Sequence, residues 1–227
     1  MVDKTNALIF TGQLRGFQHC IDSIYENIIK PLNITKIVFC IPEEDKGNLT
    51  GFTLDNIGIT VHAERDKFHD LEVIPSLGSL TTTGPIMEQN GYKDRGKLQH
   101  YFLQLYSKYK GFKVLEKSGI YKNVCMMRPD LKIEKRINFN IKQNTIYVPS
   151  VENYGGCYDR FCLGDFNTVK TYSLLYKNTH KNIGSSNDNA ERRLLSWLEY
   201  NNINFNNTLY HFDKNIPRYW SDGKFRL

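Results

Sequence analysis

"YKNVCMMRPDLKIEK", residues 121–135, runs from an apolar stretch, Val124 to Met127, straight into Arg128, Pro129 and Asp130. A short apolar run bounded by turn residues is the pattern of a strand buried on both faces, as in a parallel sheet. Opposite charges at the carboxyl end of such a strand have two readings. They form a structural Arg–Asp pair that closes the core, or they present chemistry where open α/β sheets bind ligands, outside the carboxyl ends of their strands.

Toward the amino terminus the same pattern recurs. "NALIFTG" (6–12), "KIVFCIP" (36–42) and "GITVHAE" (58–64) read as buried strands. Between the first two, "FQHCIDSIYENIIKPL" places Phe17, Cys20, Ile21, Ile24, Ile28 and Ile29 at helical spacing before Pro31 ends the helix. Ile74 to Gly91 lacks periodicity and is rich in Gly, Ser and Thr, which predicts a surface loop. A long amphipathic helix follows over 92–119, with Phe102, Leu105, Tyr109 and Phe112 on one side.

Beyond residue 135, "NTIYVPS" (144–150) predicts a strand. A strand is also expected around Arg160 to Gly164, then a helix from Phe166 capped by Asp165. "SSNDNAERRLLSWLEYNNI" predicts a capped helix with Leu194, Leu195 and Leu198 inward, and 208–227 an irregular tail. Strands alternating with helices give an α/β class, and 227 residues fit one domain, since a single core grows to ~250 residues.

The formal charge of +6 comes from basic residues scattered along the chain. With no zinc-finger, basic-helix or RNP-like pattern, nucleic acid ranks last among the partner classes, while an anionic small ligand suits the charge. The five cysteines show no CxxC pair, which predicts buried free thiols in a reducing compartment. No run approaches the ~20 apolar residues of a membrane span, and the start shows no leader pattern, so the expectation is a cytoplasmic protein.

Gly12 in "FTGQLRGF" permits close backbone approach to a ligand, and Arg15 at the start of the next helix favours an anion. The order "FTGQLRGF", "DRGKLQHYF", "YKNVCMMRPDLKI", then "YVPS" and "GGCYDRFCLGD" resembles the short nucleotide-sugar-dependent glycosyltransferases of GT-A fold found in large DNA viruses and in bacterial surface-glycan clusters. The resemblance covers roughly residues 6–213. It implies a single-domain, Rossmann-like fold with a mixed, mostly parallel central sheet flanked by helices. Residues 1–130 would bind the nucleotide sugar and 131–227 the acceptor.

The activity implied is hexosyl or pentosyl transfer from a UDP- or GDP-sugar to a glycan hydroxyl. The alternative is a glycan-binding domain that kept the fold without catalysis. In that family a strand end carries Asp-x-Asp, which holds Mn²⁺ or Mg²⁺ on the donor diphosphate. Here Arg128-Pro129-Asp130 keeps only the last aspartate, with His211 as the other implied metal ligand. The resemblance further implies donor contacts at Gly12, Gln13, Arg15, Arg95, Gln99, Arg128 and Asp130, and acceptor contacts at Gly155, Gly156 and Asp159. Glu191 and Asp159 would be the catalytic carboxylates, Glu191 as the base and Asp159 facing the acceptor sugar. The plainer alternatives are an early-helix carboxylate at Glu191, an ordinary histidine at 211, an ion pair between Asp159 and Arg160, and a mere turn at 155–156.

Overall fold

Strand β1 (Asn6–Thr11) is buried along nearly its whole length because it has a strand on each side: β2 (Ile34–Pro42) and β4 (Asn123–Met127), both parallel to it. The computed structural model describes residues 5–50, 52, 54, 56–64, 95–137, 140–150, 154–179, 190–209, 218–219 and 225–226. β3 (Gly58–Glu64) extends the parallel set beyond β2, but as an edge strand with residues 58–63 half-buried or exposed, not the buried strand its sequence predicts. On the other side β6 (Phe161–Asp165) pairs antiparallel with both β4 and β5 (Thr145–Pro149), and β7 (Asn204–Leu209) runs parallel to β5. The sheet order is β3-β2-β1-β4-β6-β5-β7, with β6 alone reversed.

Period-two alternation divides the central strands between two helical layers. Phe10 of β1 and its register partner Phe39 of β2 stack with ring centroids 4.8 Å apart, and both meet Phe17 of α1 (Phe17–Ile24) edge-on at 5.5 Å. On the opposite face Ile9, Thr11 and Cys40 lie against Gly111 of α2 (Arg95–Ser118). α2 shares that face with α3 (Phe166–Ser173), through Phe112 and Phe166 at 5.0 Å. The molecule is therefore a seven-stranded mixed α/β sheet flanked by helices.

The first helix starts after Gly16, whose φ of 63° favours a residue without a β-carbon, and widens into a π-helical turn over Tyr25–Ile29 before Pro31. Asp165 caps α3 as its sequence suggests, accepting hydrogen bonds from the Asn167 and Thr168 amides. α4 (Ala190–Tyr200) buries Leu194 and Leu198 together with Trp197, while Leu195 is only half-buried. All five cysteines are buried and free.

The carboxyl-terminal tail is not wholly irregular. β7 reaches into it, and Arg218–Tyr219 pairs with Phe225–Arg226 as a two-stranded sheet, β8 and β9. β7 itself has no apolar run and was not expected. The predicted loop over 74–91 lies outside the described residues, as does His211. Among the described residues no helix is long and apolar enough to cross a membrane.

Candidate functional site

The reversal of β6 builds the site. Because β6 runs against β4, its first residue, Phe161, pairs with the last residue of β4, Met127, and the Arg128 amide donates to the Arg160 carbonyl at 3.0 Å. Arg128 leaving β4 and Asp159-Arg160 entering β6 thus meet at one sheet edge, although about thirty residues separate them in the chain.

The opening stretch resolves into an ion pair. Arg128 donates from Nε to Asp130 Oδ1 at 2.8 Å and from Nη2 to Oδ2, a fork that occupies both carboxylate oxygens. Asp130 is 1% exposed, whereas the Arg128 side chain keeps 23% of its surface open. Burial alone would lower the Arg128 proton affinity. The Asp130 charge and hydrogen bonds, with Asp159 and Tyr158 beyond them, outweigh it and hold the guanidinium charged. On its inner side Asp130 faces α1, where burial and then the Asp130 charge push the Cys20 thiol up to about 12.

The loop 154–160 is held against the start of α4. A β-carbon on Gly156 would come within 2.2 Å of the Glu191 carbonyl carbon and 2.3 Å of the Arg192 nitrogen, so only glycine permits this approach. The Cys157 amide then donates to the Glu191 carbonyl at 2.9 Å. Gly155 adopts φ 79° beneath the Arg192 guanidinium. Glu191 is thereby brought close enough to Asp159 for the two carboxylates to repel. Burial first and the Asp159 charge second raise the Glu191 proton affinity, with Arg160 and Lys108 opposing them.

Asp159 is held by Arg160, the pairing its sequence offers, and from below by Gln104, Lys108 and Tyr172, which the sequence reading missed. Gln104 of α2 donates to its Oδ2 at 2.8 Å, and Arg160 Nε lies 3.8 Å from Oδ1. Lys108, one turn further along α2, donates to the Asp159 carbonyl, which also accepts from the Tyr172 hydroxyl at 3.2 Å. A signal for Lys108 was present. It occupies a 4-3-4-3 stripe with Tyr101, Leu105, Phe112 and Leu115, all buried, so a lysine stands where the helix calls for an apolar residue.

Gly12, Gln13 and Arg15 lie at the same edge, after β1. Gly12 has φ 98°, Gln13 is exposed, and Arg15 is half-buried with its Nε buried and unpartnered among the described residues. Arg15 lines a cleft of about 350 Å³ with Leu14, Gly16, Gln18, Asp45 and Asn48. Asp45 accepts from the Leu14 amide at 2.9 Å and from Asn48 at 3.2 Å, which fixes the rim. Arg95 and Gln99 sit in the first two turns of α2. The buried Cys157 and Cys162 thiols are pushed well up by desolvation, the Cys162 value to about 12, and are unsuited to nucleophilic attack.

A divalent ion fits this donor set poorly. The one carboxylate retained from the Asp-x-Asp pattern is buried and has both oxygens committed to Arg128, and among the described residues no three His, Cys, Asp or Glu side chains converge as a metal site. In comparisons with known proteins, no protein-family model matches the chain and no curated protein matches it.

Proposed function

We propose that the chain is a glycosyltransferase that moves a sugar from a nucleoside-diphosphate donor to a glycan hydroxyl, on a GT-A-type sheet. The observation that carries this reading is the convergence of Glu191, Asp159, Arg160 and Arg128 at one carboxyl-end edge, with Glu191 made a stronger base than an ordinary carboxylate. The mixed, mostly parallel sheet supports the same reading.

The transfer breaks the bond between the anomeric carbon and the diphosphate oxygen, whose electron pair leaves with the nucleoside diphosphate. It forms a bond from that carbon to the acceptor oxygen. The acceptor proton goes to the Glu191 carboxylate, and Asp159 orients the acceptor sugar. Charge developing on the diphosphate is met by Arg128, whose inner face is neutralised by Asp130 while its outer face stays open. The Arg15 cleft, bounded by Asp45, takes the nucleoside end. No step passes through a metal.

Calorimetric titration with UDP and GDP, each with Mn²⁺ and with EDTA, tests this. One nucleotide should bind equally well in both, and Arg128→Met combined with Asp130→Asn should lose that binding while staying folded. Binding that appears only with Mn²⁺ would overturn the arginine's role, and no binding of either nucleotide would remove the transferase reading. The sequestered Asp130 also favours a second reading, a glycan-binding domain without turnover, which predicts glycan binding and no release of nucleoside diphosphate.

A further inference from the structure

We propose that Lys108 is a positioning residue of this site: from beneath the sheet edge its buried ammonium fixes the Asp159 peptide and balances the negative charge that Asp159 and Glu191 share. The proposal rests on the reading of Glu191 as the proton acceptor.

The geometry is unusual for a stabilising lysine. Lys108 is 4% exposed, and among the described residues its ammonium bonds no carboxylate directly. It donates to the Asp159 carbonyl and, at 3.3 Å, to the Tyr172 hydroxyl, and it lies 5.1 Å from the centre of the Tyr172 ring. These are neutral partners, and a buried ammonium with neutral partners costs stability. Consistent with this, burial lowers the Lys108 proton affinity by more than Asp159 and the Cys162 and Cys157 thiols raise it, and Arg128 lowers it further. Local stability therefore does not account for the charge.

Its surroundings do. Asp159 and Cys157 from the loop, Cys162 from β6, Arg128 from the end of β4 and Tyr172 from α3 all face the ammonium. Glu191 faces Asp159, Arg160 and Lys108. In a low-dielectric interior a charge acts over several ångströms on every neighbour. Lys108 adds, from the buried side, to the opposition that Arg160 offers to the repulsion between the two carboxylates, while Gln104 and Tyr172 hold Asp159 in register beside it.

Lys108→Met keeps the length of the side chain and removes the charge, and the Tyr172 hydroxyl still serves the Asp159 carbonyl. The readout is the carbon-13 titration of the Glu191 carboxyl, assigned with Glu191→Gln. Its midpoint should move to higher pH in Lys108→Met and stay in place in Tyr172→Phe, which removes a hydrogen bond without changing a charge. An unchanged midpoint in folded Lys108→Met would show that the lysine is only structural. Should that variant not fold, the reciprocal measurement decides: removing the Glu191 charge in Glu191→Gln must lower the midpoint of the Lys108 ammonium, and no movement overturns the proposal. Neither titration uses a nucleotide, so failure of UDP and GDP to bind would sink the transferase reading while leaving this coupling to be judged separately.

Discussion

Arg128 and Asp130 depend on each other more than either contributes alone. Taking the guanidinium away by Arg128→Met leaves a carboxylate that is 1% exposed without its partner, which costs roughly 3–5 kcal/mol, whereas the double change with Asp130→Asn removes both charges and costs far less. Urea unfolding of the two variants checks this, and equal losses would mean the pair is not the unit. At Glu191 the expected effect is kinetic. Once a donor is identified, Glu191→Gln should slow nucleoside diphosphate release by ~10²–10⁴-fold with nucleotide affinity retained. In the unaltered protein the rate should fall as pH drops through a value above the ordinary carboxylate range, because burial and Asp159 raise the proton affinity of Glu191 and the base works only when ionised. A limb at the ordinary carboxylate position would contradict the assignment. At this scale the sequence made the Arg-Pro-Asp strand end and the Asp159 and Glu191 candidates legible. It offered the Arg128–Asp130 pair as one of two readings but not that the arginine takes both carboxylate oxygens, because a fork between residues two apart depends on the turn the chain makes after β4.

Helices and strands approach each other here through glycines. A β-carbon on Gly111 would stand 2.8 Å from a branch methyl of Ile9 and 3.2 Å from the Cys40 β-carbon, and a β-branched side chain on a central strand has little freedom to move aside. Alanine gains ~1 kcal/mol of helix propensity at that position but overpacks by about 1–3 kcal/mol, so Gly111→Ala should be destabilising on balance, read as a lower unfolding midpoint. Gly156→Ala meets backbone on α4, so it should displace the loop from Glu191 and lower the Glu191 titration midpoint by moving Asp159 away, with the remaining sheet intact. β1, β2, β4, β5 and β6 were readable because each is a short apolar run between turn residues, and β3 because its β-branched Ile59, Thr60 and Val61 favour a strand even at the half-exposed sheet edge. β7 was not, since "NFNNTL" carries three asparagines, which strands disfavour, and it is tolerated because β7 lies at the sheet edge, paired among the described residues only to β5. The direction of β6 was equally hidden, and it is that reversal which assembles the site.

Across the whole molecule the site works against stability, and the pH dependence shows which charge is responsible. Glu191 binds its proton more tightly folded than unfolded, so its contribution is fully present below the ordinary carboxylate range and is lost as pH rises through the higher folded-state value. Lys108 has the opposite shift. Its proton affinity is lowered on folding, so its contribution is present above the unfolded value of about 10.4 and is lost as pH falls through the folded-state value. At neutral pH both groups therefore reduce the stability of the fold, as a polar site assembled against a core commonly does. The lowered affinity of Lys108 already includes the attraction of Asp159, so the charged lysine is a net cost and a neutral side chain of the same length relieves it. Lys108→Met should accordingly be more stable than the unaltered chain at pH 6–7. The gain should shrink as pH rises toward about 10, where lysine loses its charge in the unfolded chain as well. Urea midpoints measured from pH 6 to pH 10 report the difference directly. A gain that does not shrink with rising pH would come from packing, and a loss at neutral pH would mean that the ammonium, through the Asp159 carbonyl and Tyr172, holds α2 to α3 more strongly than its burial opposes them.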